Sequence, residues 1–440
     1  MTGPSNLNRE IARLAVPALG ALLAEPLFLL VDTAIVGHLG VAQLAGVGVG
    51  AIILTTAVGL SVFLAYGTTS QVARLLGAGD LRRALTLGMD GIYLAVGIGL
   101  VLGLLGLPTA GLLVRALGAD PAAAQYGTSY LLWSLAGLPA MLVVLATTGV
   151  LRGLQDTSTP LVVAVIGAVL NVGLNLLLVL GFHWGVAGSA IGTAITQNAM
   201  AVALVVVVVR HARLHRASLR PDPRGIGGAG TAGVPLLIRT LALRIGILVT
   251  TYVAAGKGQQ ALAGHQVVST VWNFLALGLD ALAIAAQALT GKALGEGDAR
   301  AARRITDAMV RWSLVAGAVV GVLILLVHPF VGRMFTPDPA VQHAIGLGLI
   351  VVAIAQPVAG YVFLLDGVLI GAGDGKYLAW TGMAAVLVYL PFALIVGVAA
   401  PDGAIGLLWL WIAYTGVYLV ARAVFQGLRY RGDRWLVTGG

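Results

Sequence analysis

Cysteine is absent from all 440 residues, which excludes disulfide cross-links and thiolate metal sites. Charge is scarce as well: only 10% of the residues are Asp, Glu, Lys or Arg, where a soluble globular chain carries roughly 25%. The few His and acidic residues show no metal-ligand spacing, and no Gly-x-x-x-x-Gly-Lys-Ser/Thr phosphate loop occurs, so neither an enzyme nor a cofactor is expected. A net charge of +9 could suggest nucleic acid. The basic residues lie in short loops between apolar runs and never build a long basic face, so no nucleic-acid partner is expected. Residues Met1 to Glu10 lack the apolar core and small-residue cleavage site of a signal peptide, so the first apolar run is expected to remain as a helix.

What the chain has in quantity is apolar surface, with 59% hydrophobic residues and a mean hydropathy of +0.98. Twelve apolar spans can be drawn, at 11–37, 41–66, 85–107, 122–147, 160–182, 187–209, 231–255, 262–290, 305–327, 341–366, 377–399 and 404–426. A helix needs about 20 apolar residues to cross a bilayer, whereas barrel strands would be about 10 residues with strict alternation. The expected fold class is therefore an all-α polytopic membrane protein of twelve transmembrane helices. Most Lys and Arg, including Arg82, Arg83 and the five arginines of 210–224, fall on the side of the N-terminus, and only Arg115, Lys257 and Arg333 fall opposite. That imbalance predicts both termini in the cytoplasm. Twenty-three Arg against three Lys, with abundant Ala, Gly and Val, suggest a GC-rich bacterial genome and hence a bacterial cytoplasmic (inner) membrane.

The chain repeats itself at a shift of 218 residues. Pro17 falls on Pro235, Leu44-Ala-Gly46 on Leu262-Ala-Gly264, Gly77-Ala-Gly-Asp80 on Gly295-Glu-Gly-Asp298, and Asp120-Pro121 on Asp338-Pro339. Pro139 meets Pro357, Gly149-Val-Leu151 meets Gly367-Val-Leu369, and Asp156 meets Asp374. A duplication is the simplest cause. Six spans per half is an even number, so the expected halves are parallel and related by a pseudo-two-fold axis along the membrane normal. The expected domains are residues 1–209, a basic cytoplasmic linker 210–230, and residues 231–440. The linker is read as a connector, with membrane lipids of anionic headgroup as a candidate contact.

One carboxylate stands out, Asp32 in Pro26-Leu-Phe-Leu-Leu-Val-Asp32. An ionised Asp at a helix centre costs roughly 2.5–3.5 kcal/mol on insertion scales, so such groups face a protein interior or a wet cavity. It lies 19 residues beyond Arg13, or about 28 Å of helix, in the external half of the membrane. Pro26 removes a backbone hydrogen bond and permits helix 1 to bend. The repeat sets Glu25 opposite Leu243, beside Arg244, so an intramembrane pair of Glu25 with Arg244, or with Arg239, is expected.

Several stretches taken together resemble the multidrug and toxic compound extrusion (MATE) transporters. They are Val31-Asp32-Thr33 with Gly37-His38-Leu39-Gly40, the loop Gln71 to Asp80, the turn Gly149 to Thr157, and the six-plus-six repeat. The stretches Asp280 to Gly291 and Phe363 to Gly371 look most like the branch typified by the DNA-damage-inducible protein F. The resemblance implies a twelve-helix antiporter that exports organic, often cationic, compounds against a proton or sodium gradient. It also implies that Asp32 works with Asn171, Asn175 and Thr193. The two asparagines are four apart, on one helical face, and some relatives carry Asp where Asn175 stands, which argues against a sodium site of that design. Asp280 and Asp366 have no acidic counterparts in the first half (Val62 and Thr148) and are candidates for a second-lobe substrate or ion site. The expected function is thus a secondary active antiporter exporting cationic or amphipathic small molecules, with H+ as the coupling cation before Na+ and no obligatory protein partner. The alternative is a lipid-linked oligosaccharide or peptidoglycan-precursor flippase of the same superfamily, kept open by Arg239 and Arg244.

Overall fold

Several acidic residues that the repeat aligns turn out to start helices. In the computed structural model, Asp80 accepts a hydrogen bond from the amide of Arg83 at 2.9 Å, and Asp298 accepts one from Ala301 at 2.8 Å. Each follows a glycine with positive φ, Gly79 at 77° and Gly297 at 79°, a conformation that costs glycine little. Asp120 and Asp338 cap the next helices in each half by accepting from Ala122 at 3.0 Å and from Ala340 at 2.8 Å. Pro121 and Pro339 follow at the first helical turn, where a missing amide is harmless. Asp80, Asp298, Asp120 and Asp338 are therefore N-caps at helix starts, whereas Asp374 pairs with Arg429 at 2.5 Å.

The structure describes residues 4–439, with side chains there apart from those of Pro4, Ser5, Asn6 and Glu25. Twelve helical spans succeed one another: α1 Pro4–Gly37, α2 Val41–Gly77, α3 Leu81–Ala116, α4 from Pro121–Leu135 and Leu138–Gly153, α5 Ser158–Gly181 and α6 Gly185–Leu214. The second half holds α7 Pro223–Gly256, α8 Gln259–Gly295, α9 Ala299–Phe335, α10 Pro339–Gly371, α11 Gly375–Ala399 and α12 Ala404–Arg431. Among the described residues there is no strand. Helices such as α3 and α9 outrun their expected ends because the polar turns that flank the apolar runs stay helical. The two parts of α4 meet at 52°. Gly137 and Pro139 loosen α4 there, whereas α10, with Ala355 in place of that glycine, carries Pro357 inside a continuous helix.

The chain divides into two compact units, one of Met1–Ala12 with Pro235–Gly439 and the other of Arg13–Val234. This differs from the expected division at 209 and 231. The start of α1 belongs with the second-half unit, where Trp312 donates to Asn8 Oδ1 at 3.1 Å. The connector is shorter than the expected 210–230, because α6 runs to Leu214 and α7 begins at Pro223. Within the first-half unit, α3 holds it by a single face: Thr86 Oγ1 accepts from Ser218 N, Asp90 from Asp222 N at 3.1 Å, and Tyr93 donates to Leu219 O at 2.7 Å.

Each unit is built around the same close helix crossing. On α4, Gly149 and Gly153 lie against the backbone of Ala65 and Thr69 on α2; a Cβ on Gly149 would stand 2.5 Å from Ala65 O. Thr69 Oγ1 reinforces the crossing by donating to Gly149 O at 3.0 Å. On α10, Gly367 and Gly371 lie against Ala283 and Gln287 of α8, the residues 218 positions on, and a Cβ on Gly367 would stand 2.2 Å from Ala283 O. Small residues four apart let membrane helices approach to backbone contact, which replaces the hydrophobic drive that lipid cannot supply. Gly149→Val and Gly367→Val are therefore both expected to destabilise the protein, by at least the roughly 1–3 kcal/mol of an overpacked core. The check is the thermal midpoint and folded yield in detergent, with Gly48→Val as control, since a Cβ there meets nothing within 4 Å.

Candidate functional site

The C-terminal half of α1 presents most of its residues outward: Leu27 and Leu30 are 60% and 66% exposed, while Asp32 is 3% exposed. Asp32 shares the buried face with Ile35 and Val36, so its carboxylate points into the first-half unit. α1 runs without a break through Pro17 and Pro26. Pro26 has no amide to give to the carbonyl of Leu22, so the helix is weakened six residues before Asp32.

Three other helices supply the partners. Ser189 on α6 donates to Asp32 Oδ1 at 2.8 Å. Asn171 and Asn175 on α5 are buried and joined, Asn175 Nδ2 donating to Asn171 Oδ1 at 2.9 Å. Asn171 Nδ2 in turn donates to Thr193 Oγ1 on α6 at 3.2 Å. The amide of Asn175 abuts the Asp32 carboxyl group, and Tyr130 on α4 is close enough to interact with it electrostatically. Val36, Val47, Tyr130, Val186 and Ala190 form the apolar cluster beside these groups. The structure thus brings the four expected residues, Asp32, Asn171, Asn175 and Thr193, into one buried cluster. Ser189 and Tyr130 were not singled out from sequence. Ser189 had a readable signal, since it lies four residues before Thr193 on the same face of α6.

Two features of the cluster bear on chemistry. Among the described residues no cationic side chain lies within salt-bridge distance of Asp32. Asn175 Oδ1, fully buried, accepts no hydrogen bond. Buried polar groups are normally satisfied, and the second-half cluster holds such atoms as well, Gln426 Oε1 and Tyr418 Oη.

In the second-half unit Asp366 is also 3% exposed, but its surroundings are opposite in kind. Arg239 on α7 donates to Asp366 Oδ2 at 2.5 Å, and Arg422 on α12 donates to the same oxygen. Gln426, one turn along α12, donates to Oδ1 at 2.6 Å, and the Arg422 guanidinium lies over the Tyr418 ring at 5.8 Å. Removing one partner of such a buried pair typically costs about 3–5 kcal/mol, because it strands the other charge. Asp280 on α8 is half-buried and has an interaction partner of its own. Of the expected intramembrane pair, Arg239 is bonded to Asp366 and Arg244 is exposed, while the Glu25 side chain lies outside the described residues. Asp366 and Arg239 were each noticed in the sequence, but 127 residues separate them and no periodicity connects two such positions.

The position that the repeat makes equivalent to Asp32 is Thr250, which shares a 2.7 Å hydrogen bond with Tyr389, the counterpart of Asn171. Trp411 stands where the first half has Thr193, packed with Trp272, His265 and Tyr414 at ring separations of 5.5 to 6.1 Å. The second copy of the site is filled by aromatic rings.

Comparison with known proteins agrees with this duplicated architecture. The family model described as MatE matches twice, over residues 17–177 and 235–395, which are 218 positions apart at both ends. The chain is 33% identical to Protein DETOXIFICATION 44, chloroplastic, of Arabidopsis thaliana, over 98% of this chain and 82% of that protein. It is 28% identical to the DNA damage-inducible protein F of Escherichia coli, over 98% and 94%. In fold it is similar to the crystal structure of the Vibrio cholerae MATE transporter VcmN, with a TM-score of 0.89 and 21% identity over 98% of this chain and 99% of that one. With a family model matching most of its length and eleven or twelve helices long and apolar enough to cross a membrane, the chain belongs to the MatE family of multidrug and toxic compound extrusion transporters.

Proposed function

We propose that this transporter is a secondary active antiporter of the bacterial inner membrane, with both termini cytoplasmic, exporting cationic or amphipathic organic compounds in exchange for protons. The observation that carries the reading is the Asp32 cluster: a buried carboxylate with hydroxyl and amide partners, beside an acceptor, Asn175 Oδ1, that has no donor. Buried and ionised, Asp32 needs a cation. Protonated, it needs none, and its hydroxyl can donate as well as accept. A group whose two states suit two different surroundings can be charged on one side of the membrane and neutral on the other, which is what alternating access requires. A proton is preferred to sodium because the cluster offers a single carboxylate, with Asn175 rather than a second Asp beside it.

Movement has a natural place to act. Pro26 weakens α1 between Asp32 and its N-terminal half, so a change in the partners of Asp32 can be taken up as bending there. The flippase reading drew on Arg239 and Arg244 as a basic cavity lining, and the engagement of Arg239 with Asp366 removes half of that support.

The decisive measurement is efflux of a cationic dye from proteoliposomes under imposed pH or sodium gradients. Wild type should respond to the pH gradient, and Asp32→Asn should fall to the rate of protein-free liposomes while keeping its folded yield. Full gradient-coupled efflux by Asp32→Asn would disprove the assignment. A second variant tests the choice of ion. Asn175→Asp adds a second carboxylate to the cluster and is expected to bring sodium-driven efflux to a protein that lacks it; sodium-driven efflux in the wild type would refute proton coupling.

A further inference from the structure

The two halves share one scaffold and bury the carboxylates Asp32 and Asp366, each in a cluster of side-chain partners, at positions that the repeat does not relate. Asp366 maps onto Thr148, Arg239 onto Ala21, Arg422 onto Leu204 and Gln426 onto Val208. Nothing charged in the first half corresponds to the second-half cluster. Conversely Asp32, Asn171, Asn175, Ser189 and Thr193 map onto Thr250, Tyr389, Ala393, Leu407 and Trp411. The difference between the clusters lies in the source of positive charge: around Asp32 the partners are hydroxyls and amides, whereas around Asp366 they are two guanidinium groups built into the chain.

We infer that Arg239 and Arg422 are resident counter-cations that close the second-half carboxylate to any external cation, so that one coupling cation, taken at Asp32, moves per transport cycle. The inference rests on the proposed role of Asp32 and goes beyond it to the stoichiometry. Geometry supports it in three ways. Both arginines converge on the same oxygen, Asp366 Oδ2, and Gln426 takes Oδ1, so each carboxylate oxygen is already engaged. Arg239 comes from α7 and Arg422 from α12, so an incoming ion would have to displace donors from two helices at once. Arg422 is itself held at its other side by the Tyr418 ring, and cation–π contact is strongest where water is excluded. The guanidinium group does not release its proton in proteins, so the clamp stays cationic across the working pH range.

The position equivalent to Asp32 offers no second entry. Thr250 is 0% exposed and hydrogen bonded to Tyr389, and Trp411, at 0% exposure, fills the place of Thr193. The second half therefore keeps a buried Thr250–Tyr389 pair beside Trp411 at one position and a carboxylate held by two guanidinium groups at the other. For a singly charged cationic substrate exchanged against one proton, the cycle moves no net charge.

The test is the ratio of protons to substrate in proteoliposomes, found from the membrane potential at which a fixed pH gradient and substrate gradient give no net flux. Wild type should give a ratio of one, and Asp366→Asn should give the same ratio, with lower folded yield. Arg239→Gln combined with Arg422→Gln, which leaves Asp366 with no guanidinium, should raise the ratio above one. A wild-type ratio of two that falls to one in Asp366→Asn would overturn the inference while leaving the role of Asp32 intact. Loss of the wild-type response to pH with unchanged transport by Asp32→Asn would instead locate the failure in the proposed function. Because the wild-type ratio alone decides between one and two, misfolding of a variant does not shelter the inference.

Discussion

Water is missing from the middle of a bilayer, and every buried polar group of this protein must find its partners inside the chain. That constraint is sharpest for a carboxylate, whose charge costs several kcal/mol to bury without compensation. Asp32 and Asp366 are both 3% exposed and meet the constraint by different chemistry. Asp366 is compensated permanently, by Arg239 and Arg422. Asp32 is surrounded by groups that can hydrogen bond either state of a carboxyl but cannot neutralise its charge. The first solution makes a structural tie between α7, α10 and α12, while the second is the basis on which we propose Asp32 as the group that exchanges a proton.

The duplicated scaffold separates what the fold needs from what transport needs. Features kept in both copies are those that build helices: the N-caps Asp80 and Asp298, the turn glycines Gly79 and Gly297, and the backbone crossings at Gly149 and Gly367. Features present in only one copy are the buried charges. The same glycine crossing can thus serve a unit that holds Asp32 with its amides on other helices and a unit that holds a stack of aromatic rings, because neither cluster takes part in the glycine contact.

Span number and the repeat were legible in the sequence because both depend on composition and constant spacing. The residues of the first-half cluster were legible too, since Asn171, Asn175 and Thr193 share helical faces and the resemblance placed them with Asp32. Arg239 was different. Sequence depth suggested Glu25 as a partner, a side chain outside the described residues, and gave no sign that the guanidinium reaches Asp366, a contact between α7 and α10 invisible to local pattern. The span ends were drawn short for a related reason: hydropathy follows the apolar run, whereas caps such as Asp80 and Asp298 let the helix continue into polar sequence. The unit boundaries, at Ala12 and Pro235, follow packing of helix ends that carry no compositional mark.

Irregular backbone is where pattern reading fails most, and it is where both clusters sit. Asn175 is the last residue before a π-helical segment, Leu176–Gly181, and Tyr418 lies inside a second one, Tyr414–Leu419, that precedes Arg422. An α-helix advances about 100° per residue, so the residue that a π turn inserts rotates everything after it toward a different face. In α12 that rotation helps set which face Arg422 and Gln426 present to Asp366. In α5 it falls immediately after the two asparagines and leaves their own α-helical spacing intact. Neither segment is repeated at the shift of 218, so the irregularities follow the clusters rather than the scaffold. Such turns are frequent at functional sites, and a segment that has already given up regular hydrogen bonding can change register at less cost than the helix on either side of it.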